Sequence, residues 1–165
     1  MRVWSRVLVG AALAAGVVAA PAQETDEHLV LGSLFCQLRA NGGEQPVRYL
    51  LTKALLDAID AAYATSDAYQ KANPGDKPPL GDGIPFQSFP DVADGCGPTK
   101  SAVVDGVPMI DISYTFKAYP DADYADRIVV KAENGRPLID DVLYQTNDYK
   151  SGLREILADI AAGKL

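Results

Sequence analysis

The chain has 165 residues, 48% of them hydrophobic and 22% charged, with a net charge of −7 at neutral pH and one histidine. That length suits one domain with a core of its own. The acidic balance excludes the basic face that a nucleic-acid binder needs, and it opposes docking on anionic lipid.

The chain opens with Arg2 and Arg6 around the start of an apolar run, Val7 to Ala20, built almost wholly of Val, Leu, Ala and Gly. Ala20-Pro21-Ala22 is a small-x-small site, and the polar Gln23-Glu24-Thr25 follow. This order is that of a secretory signal cleaved near residue 22. The run is shorter than the roughly 20 apolar residues of a spanning helix. No membrane span is therefore expected after cleavage, and residues 23–165 are expected to form a single domain. The first cysteine, Cys36, follows the bulky Phe35 and lies beyond the apolar run, which argues against a lipoprotein. Loss of Arg2 and Arg6 makes the mature chain more acidic still.

Thr25-Asp26-Glu27 starts a helix, with a capping residue followed by acid in the first turn. Leu29, Leu31, Leu34, Phe35 and Leu38 fall mostly on one of its faces. Asn41-Gly42-Gly43 ends it. The spacing of Leu51, Leu55, Ala58, Ile59 and Ala62 predicts a second helix from about Pro46 to Tyr69, with Lys53, Asp57, Asp60 and Asp67 on its wet side. Asn73-Pro74-Gly75 and Gly81-Asp82-Gly83 then mark turns, and residues 72–100 read mainly as loop with a short element near Phe86 to Phe89.

The remainder reads as strands and a helix. Strands are expected over Ser101 to Val104, Met109 to Ala118, Ala125 to Ala132 and Pro137 to Tyr144. Asp105-Gly106 and Asn134-Gly135 are hairpin turns between them. Ile110, Ile112, Tyr114 and Phe116 alternate with polar residues, and Ile128 and Val130 alternate with Arg127, Val129 and Lys131. On the last strand, Ile139, Asp141 and Leu143 are expected to oppose Leu138, Asp140, Val142 and Tyr144. Leu153, Ile156, Leu157 and Ile160 give a closing amphipathic helix. Helices followed by an antiparallel meander predict an α+β fold, with helices packed on a curved sheet.

Cys36 and Cys96 are the only cysteines. In an exported chain such a pair reads as a disulfide rather than a metal site or redox couple. Closing a loop of that length is worth about 4 kcal/mol on the chain-entropy model. It also pins the long loop to the first helix.

Several segments carry a family resemblance: Leu50-Leu51-Thr52-Lys53-Ala54-Leu55-Leu56-Asp57-Ala58-Ile59, Lys77-Pro78-Pro79-Leu80, Arg127-Ile128-Val129-Val130, Arg136-Pro137-Leu138-Ile139-Asp140-Asp141-Val142-Leu143-Tyr144 and Ser151-Gly152-Leu153-Arg154-Glu155-Ile156-Leu157. In this order they resemble the DUF3828 family of small exported bacterial proteins of unknown function, itself similar to the NTF2-like (cystatin-like) α+β cone. The resemblance covers most of the chain after the signal. It departs where family members place an aromatic residue, typically Trp, before Ile-Asp-Asp; Pro137 and Leu138 stand here. It implies a sheet wrapped into a cone with a pocket at its open end, and it implies no catalytic residues.

Candidate chemistry is sparse. His28 stands alone in a helical first turn, where exposure is expected, with no cluster to make it a ligand or base. Asp121, Asp123 and Asp126 are spaced like the start of a calcium loop but lack its later Gly and Glu, so they read as a solvated turn. Asp140 and Asp141 are expected to face opposite sides of their strand. Tyr63, Asp111, Arg127 and Asp140 are the residues that a polar pocket inside a cone would use. No catalytic residue, metal or cofactor is expected. The function expected is that of a periplasmic or secreted binding or accessory protein of the cell envelope, with an envelope protein or a small ligand as partner. A small-molecule or enzymatic pocket in the cone is one alternative. An inhibitor or immunity-type protein for a basic target is another.

Overall fold

The computed structural model describes residues 26–145 and 148–164; the expected signal, residues 1–22, lies outside them. Two turns organise the sheet. Asp105 and Gly106 have φ of 51° and 81°, and Asn134 and Gly135 have φ of 53° and 75°. Two successive positive values give the turn whose twist matches that of the strands it joins. The result is a meander of β1 (Gly95–Val104), β2 (Val107–Thr115), β3 (Tyr124–Glu133) and β4 (Arg136–Leu143), antiparallel and in that spatial order.

Period-two alternation divides the sheet. Ile110, Ile112 and Tyr114 of β2 are buried with Tyr124, Asp126, Ile128 and Val130 of β3. The residues between them, Asp111, Ser113, Arg127 and Val129 among them, lie on the opposite face. β1 begins at Gly95, earlier than the Ser101 expected from composition. Gly and Pro concealed this start. Pro98 is tolerated because β1 is an edge strand, where a missing N–H breaks no ladder, and the register shifts between Pro98 and Lys100. Phe86 to Phe89 form no regular element, although Phe86 is buried.

Helix α1 (Glu27–Gly42) starts at Asp26, whose carboxylate accepts the N–H groups of His28 and Leu29. It crosses β1 and β2 at Gly32, where an added Cβ would lie 2.9 Å from Pro98 and 3.1 Å from Ile110 and Ile112 side chains. That close approach fixes which face is buried. Leu31, Phe35 and Cys36 point into the core, whereas Leu34, expected inside, is 40% exposed. Cys36 is bonded to Cys96 on β1, with their Cα atoms 5.5 Å apart.

The second expected helix is interrupted. A short α2 (Glu44–Val47) and a 3-10 turn (Arg48–Leu50) precede α3 (Lys53–Ala72), with Leu51 extended between them. Sheet contacts override helix propensity at this point. Leu51 bridges Ile139 in parallel, and the Thr52 N–H donates to the Ile139 carbonyl at 2.9 Å. Thr52 then caps α3, accepting the Leu55 N–H at 3.2 Å and donating its hydroxyl to Asp140 at 2.7 Å. Glu133 accepts the Lys53 N–H at 3.1 Å, adding a second carboxylate at the positive end of the helix.

The face assignment on β4 differs from strict alternation. Val129 faces Asp141 and Val130 faces Ile139, so Asp140 is an extra residue in the ladder. This bulge puts Ile139, Val142 and Tyr144 on the same buried face, where simple parity separates them. It also frees both aspartates for helix α4 (Leu153–Ala161). The N-cap of α4 is Gly152, which has no side chain to cap with, and a Cβ there would sit 2.1 Å from the Val142 carbonyl oxygen. Asp141 does the capping from the strand: one of its oxygens accepts the N–H groups of Val142 at 2.8 Å and Arg154 at 3.0 Å. Burial raises the Asp141 pKa above its ordinary value, against those hydrogen bonds. The Arg154 guanidinium reaches the backbone and side-chain oxygens of Asp140, each at 3.3 Å.

α4 then buries Leu153, Leu157 and Ile160, and α3 buries Leu55, Ile59 and Ala62, in one cluster with the sheet isoleucines. The class is α+β, with helices on one face of a curved antiparallel sheet. Among the described residues no helix is long and apolar enough to cross a membrane. Thr52→Val keeps the side-chain shape and removes both hydrogen bonds of the hydroxyl. It is expected to lower the unfolding free energy by about 2 kcal/mol, with Thr52→Ser recovering most of the loss, as measured by urea denaturation.

Candidate functional site

The residues expected to line a polar pocket are divided among separate places. Asp111 and Arg127 are cross-strand partners on the sheet face away from the core. The Arg127 Nε–H donates to Asp111 at 2.6 Å, and the guanidinium lies 4.5 Å over the Tyr149 ring. Tyr149 donates to the Ala125 carbonyl, closing this cluster. Tyr63 instead donates to Glu44 at 2.5 Å, and Glu44 and Asp60 flank Arg48 at 3.6 and 2.5 Å. Burial and then Glu44 push the Tyr63 phenol up. Asp140 is held by Thr52 and Arg154 at the bulge. The pocket of these four residues is therefore not formed, because parity puts the ion pair outside and the bulge consumes Asp140. The core face of the sheet is filled by Ile110, Ile112, Ile128 and Ile139, all at 0% exposure.

His28 is half-buried rather than exposed, with Nδ1 3.5 Å from the Ser101 hydroxyl and 3.9 Å from Asp26. Among the described residues no group of three or more His, Cys, Asp and Glu could hold a metal ion. The three aspartates after Pro120 separate. Asp121 and Asp123 are exposed, but Asp126 is fully buried.

A different site lies where β2 ends and β3 begins. The connecting residues bring Phe116 and Tyr119 to this end of the sheet, and a 3-10 turn (Pro120–Ala122) places Asp121. Tyr114 and Tyr124 are register partners on the buried face and stack with centroids 4.7 Å apart. Phe89 lies 5.0 Å and Phe116 6.2 Å from the Tyr124 ring. Phe89, Phe116, Tyr119 and Tyr124 line an open cleft of about 520 Å³, shared with Asp91, Asp121 and Asp123. Tyr124 is 7% exposed and forms the floor; the three aspartates are exposed and form the rim.

The loop that carries Phe89 has no regular structure, so side chains hold it. Asp126 accepts the Ser88 N–H at 2.7 Å, the Ser88 hydroxyl, and the Gln145 N–H at 3.0 Å. Its charge is thus satisfied by hydrogen bonds rather than by a cation. Tyr144 donates its hydroxyl to the Pro85 carbonyl at 2.5 Å. Gln87 donates to the carbonyls of Phe89 and Asp91 at 2.6 and 2.8 Å. On the opposite wall, Asp123 accepts the Phe116 N–H at 2.8 Å. Each wall is tied to the sheet, so the cleft is preformed.

Two electrostatic features set the character of the cleft. Among the described residues no cationic side chain lines it. The nearby Arg39 donates to the Tyr114 hydroxyl at 3.3 Å and lies 5.5 Å over the Phe35 ring, on the core side. The buried Tyr124 hydroxyl makes no hydrogen bond of good geometry. Burial, reinforced by Asp126, pushes the Tyr124 phenol up to about 12.

Sequence patterning does not point to this cleft, because all of its aromatic residues but Tyr124 sit on loops and turns, where periodicity is lost. One signal is present: Tyr114, Phe116, Tyr119 and Tyr124 crowd one short stretch of a chain that is 8% aromatic. No protein-family model, curated protein or solved structure matches the chain. Asp126→Ala leaves the Ser88 and Gln145 amides without their acceptor. It is expected to cost about 3 kcal/mol of stability by chemical denaturation and to speed amide exchange at Ser88. Unchanged exchange at Ser88 would show that the loop is held by other contacts.

Proposed function

We propose that this chain is an exported binding protein of the cell envelope, periplasmic or secreted, that holds its ligand in the aromatic cleft without transforming it. The cleft carries this reading. Its volume lies within the range of small-molecule sites. Its lining offers aromatic rings and exposed carboxylates suited to holding a ligand.

The Cys36–Cys96 bond supports the compartment, since such bonds persist in oxidising environments. The signal-like start of the sequence agrees with it. The order of helices, meander and closing helix is compatible with the DUF3828 resemblance and, through it, with an NTF2-like ancestry. The acidic charge favours a second reading, an inhibitor-type protein that receives a basic target at the same rim.

Ligand-observed NMR of an envelope small-molecule extract tests the proposal. Oxidised wild-type protein is expected to attenuate a subset of signals, and Tyr119→Ala is expected to leave that subset untouched. Equal attenuation by both proteins would remove the cleft as the site. Capture of a basic protein at low salt and its release at high salt would favour the inhibitor reading.

A further inference from the structure

We infer that the cleft selects a small soluble cation whose charge is carried by a quaternary ammonium group. The inference rests on the reading of the cleft as a ligand site and adds the chemistry of the ligand.

The cleft has two levels of negative potential. Its lining carries the aromatic rings of Phe89, Phe116, Tyr119 and Tyr124, and its rim carries Asp91, Asp121 and Asp123. A cation within about 6 Å of an aromatic centroid is attracted by the ring quadrupole, and more strongly where water is excluded. Phe89 is 45% exposed and Tyr119 72% exposed, so both rings are accessible to a ligand, whereas Tyr124 is buried. With no lining cation among the described residues to neutralise the site, an anionic ligand is repelled and a neutral one gains hydrogen bonds but no net charge attraction from the rim.

Hydrogen-bond supply decides which cation fits. A primary ammonium carries three N–H donors, and each must exchange water for an acceptor when it is buried. The floor offers ring faces in place of carboxylates. One oxygen of Asp123 is already taken by the Phe116 amide. The Tyr124 hydroxyl is buried within the wall, out of reach of solvent. A quaternary ammonium has no donor to satisfy and spreads its charge over methyl groups that pack on rings. The carboxylates then act from the rim through space. The same head group on a membrane lipid is disfavoured, because the rim carboxylates would meet lipid phosphates before the floor was reached.

Calorimetric titration of the oxidised protein with choline, ethanolamine and dimethylbutanol, the neutral carbon isostere of choline, tests this directly. Choline is expected to bind about tenfold more tightly than either of the others. Tyr119→Leu, a change at an exposed side chain, is expected to weaken choline binding about tenfold while leaving thermal stability unchanged. Asp121→Asn is expected to weaken it a few-fold, and the effect shrinks in high salt. Phosphatidylcholine vesicles are not expected to sediment the protein. Equal binding of choline and its neutral isostere would overturn the cation inference and leave the cleft as a ligand site. Equal binding of ethanolamine would overturn the quaternary preference. Sedimentation with vesicles, abolished by Tyr119→Leu, would overturn the soluble ligand. No binding of any probe would overturn the cation inference and leave the cleft to the extract experiment, whereas choline binding indifferent to Tyr119→Leu would overturn the cleft as its site.

Discussion

The bulge at Asp140 determines how the rest of this molecule is assembled. One extra residue in β4 places Ile139, Val142 and Tyr144 on a single buried face. It also turns two carboxylates toward the starts of two helices, one of which, α4, has no capping side chain of its own. Asp140 receives the Thr52 hydroxyl at the start of α3, and Asp141 receives the Arg154 amide at the start of α4. Both helices are thereby indexed to one strand. Two acidic residues near two helix N-termini are also favourably placed in the fields of those helices.

The effect of the bulge extends to the cleft. Tyr144 faces inward because the bulge changes the parity of β4, and its hydroxyl holds Pro85. The next residue, Gln145, donates its amide to the buried Asp126, which also grips Ser88. Those contacts set Phe89 against Tyr124. The disulfide secures the far end of the same loop, since Cys96 at the start of β1 is tied to Cys36 on α1. A loop with no regular structure of its own is therefore fixed at several points by the sheet and by one helix, which is what an open, preformed site requires.

Much of this architecture is legible in the residues, and the exceptions have physical causes. The two hairpins follow from Asp-Gly and Asn-Gly, the closing helix from its apolar spacing, and the disulfide from an isolated pair of cysteines. Where tertiary contacts compete with local preference, the pattern misleads. Thr52 lies in a strongly helical stretch but pairs with Ile139 instead. Gly32 lets α1 approach the sheet so closely that Leu34 turns out to solvent. Asp140 breaks an alternation that looks unbroken. Asp126 reads as one of three solvated acids, yet it is a buried anchor. Tyr63, Asp111, Arg127 and Asp140 carry the charge and polarity of a site, but each is engaged in holding the structure. The aromatic cleft, formed from turns, carries no periodic signature.

A disulfide-bonded α+β domain, proposed to be exported, whose aromatic cleft has no cationic side chain among the described residues is thus the account that joins sequence, fold and site. It is tested most directly by intermolecular nuclear Overhauser effects between the methyl protons of tetramethylammonium and the aromatic rings of the oxidised protein. The account predicts contacts to Phe89, Phe116 and Tyr119, and none to the exposed Tyr49 on the far 3-10 turn. Contacts of equal strength to Tyr49, or none to the cleft rings at saturating cation, would contradict it.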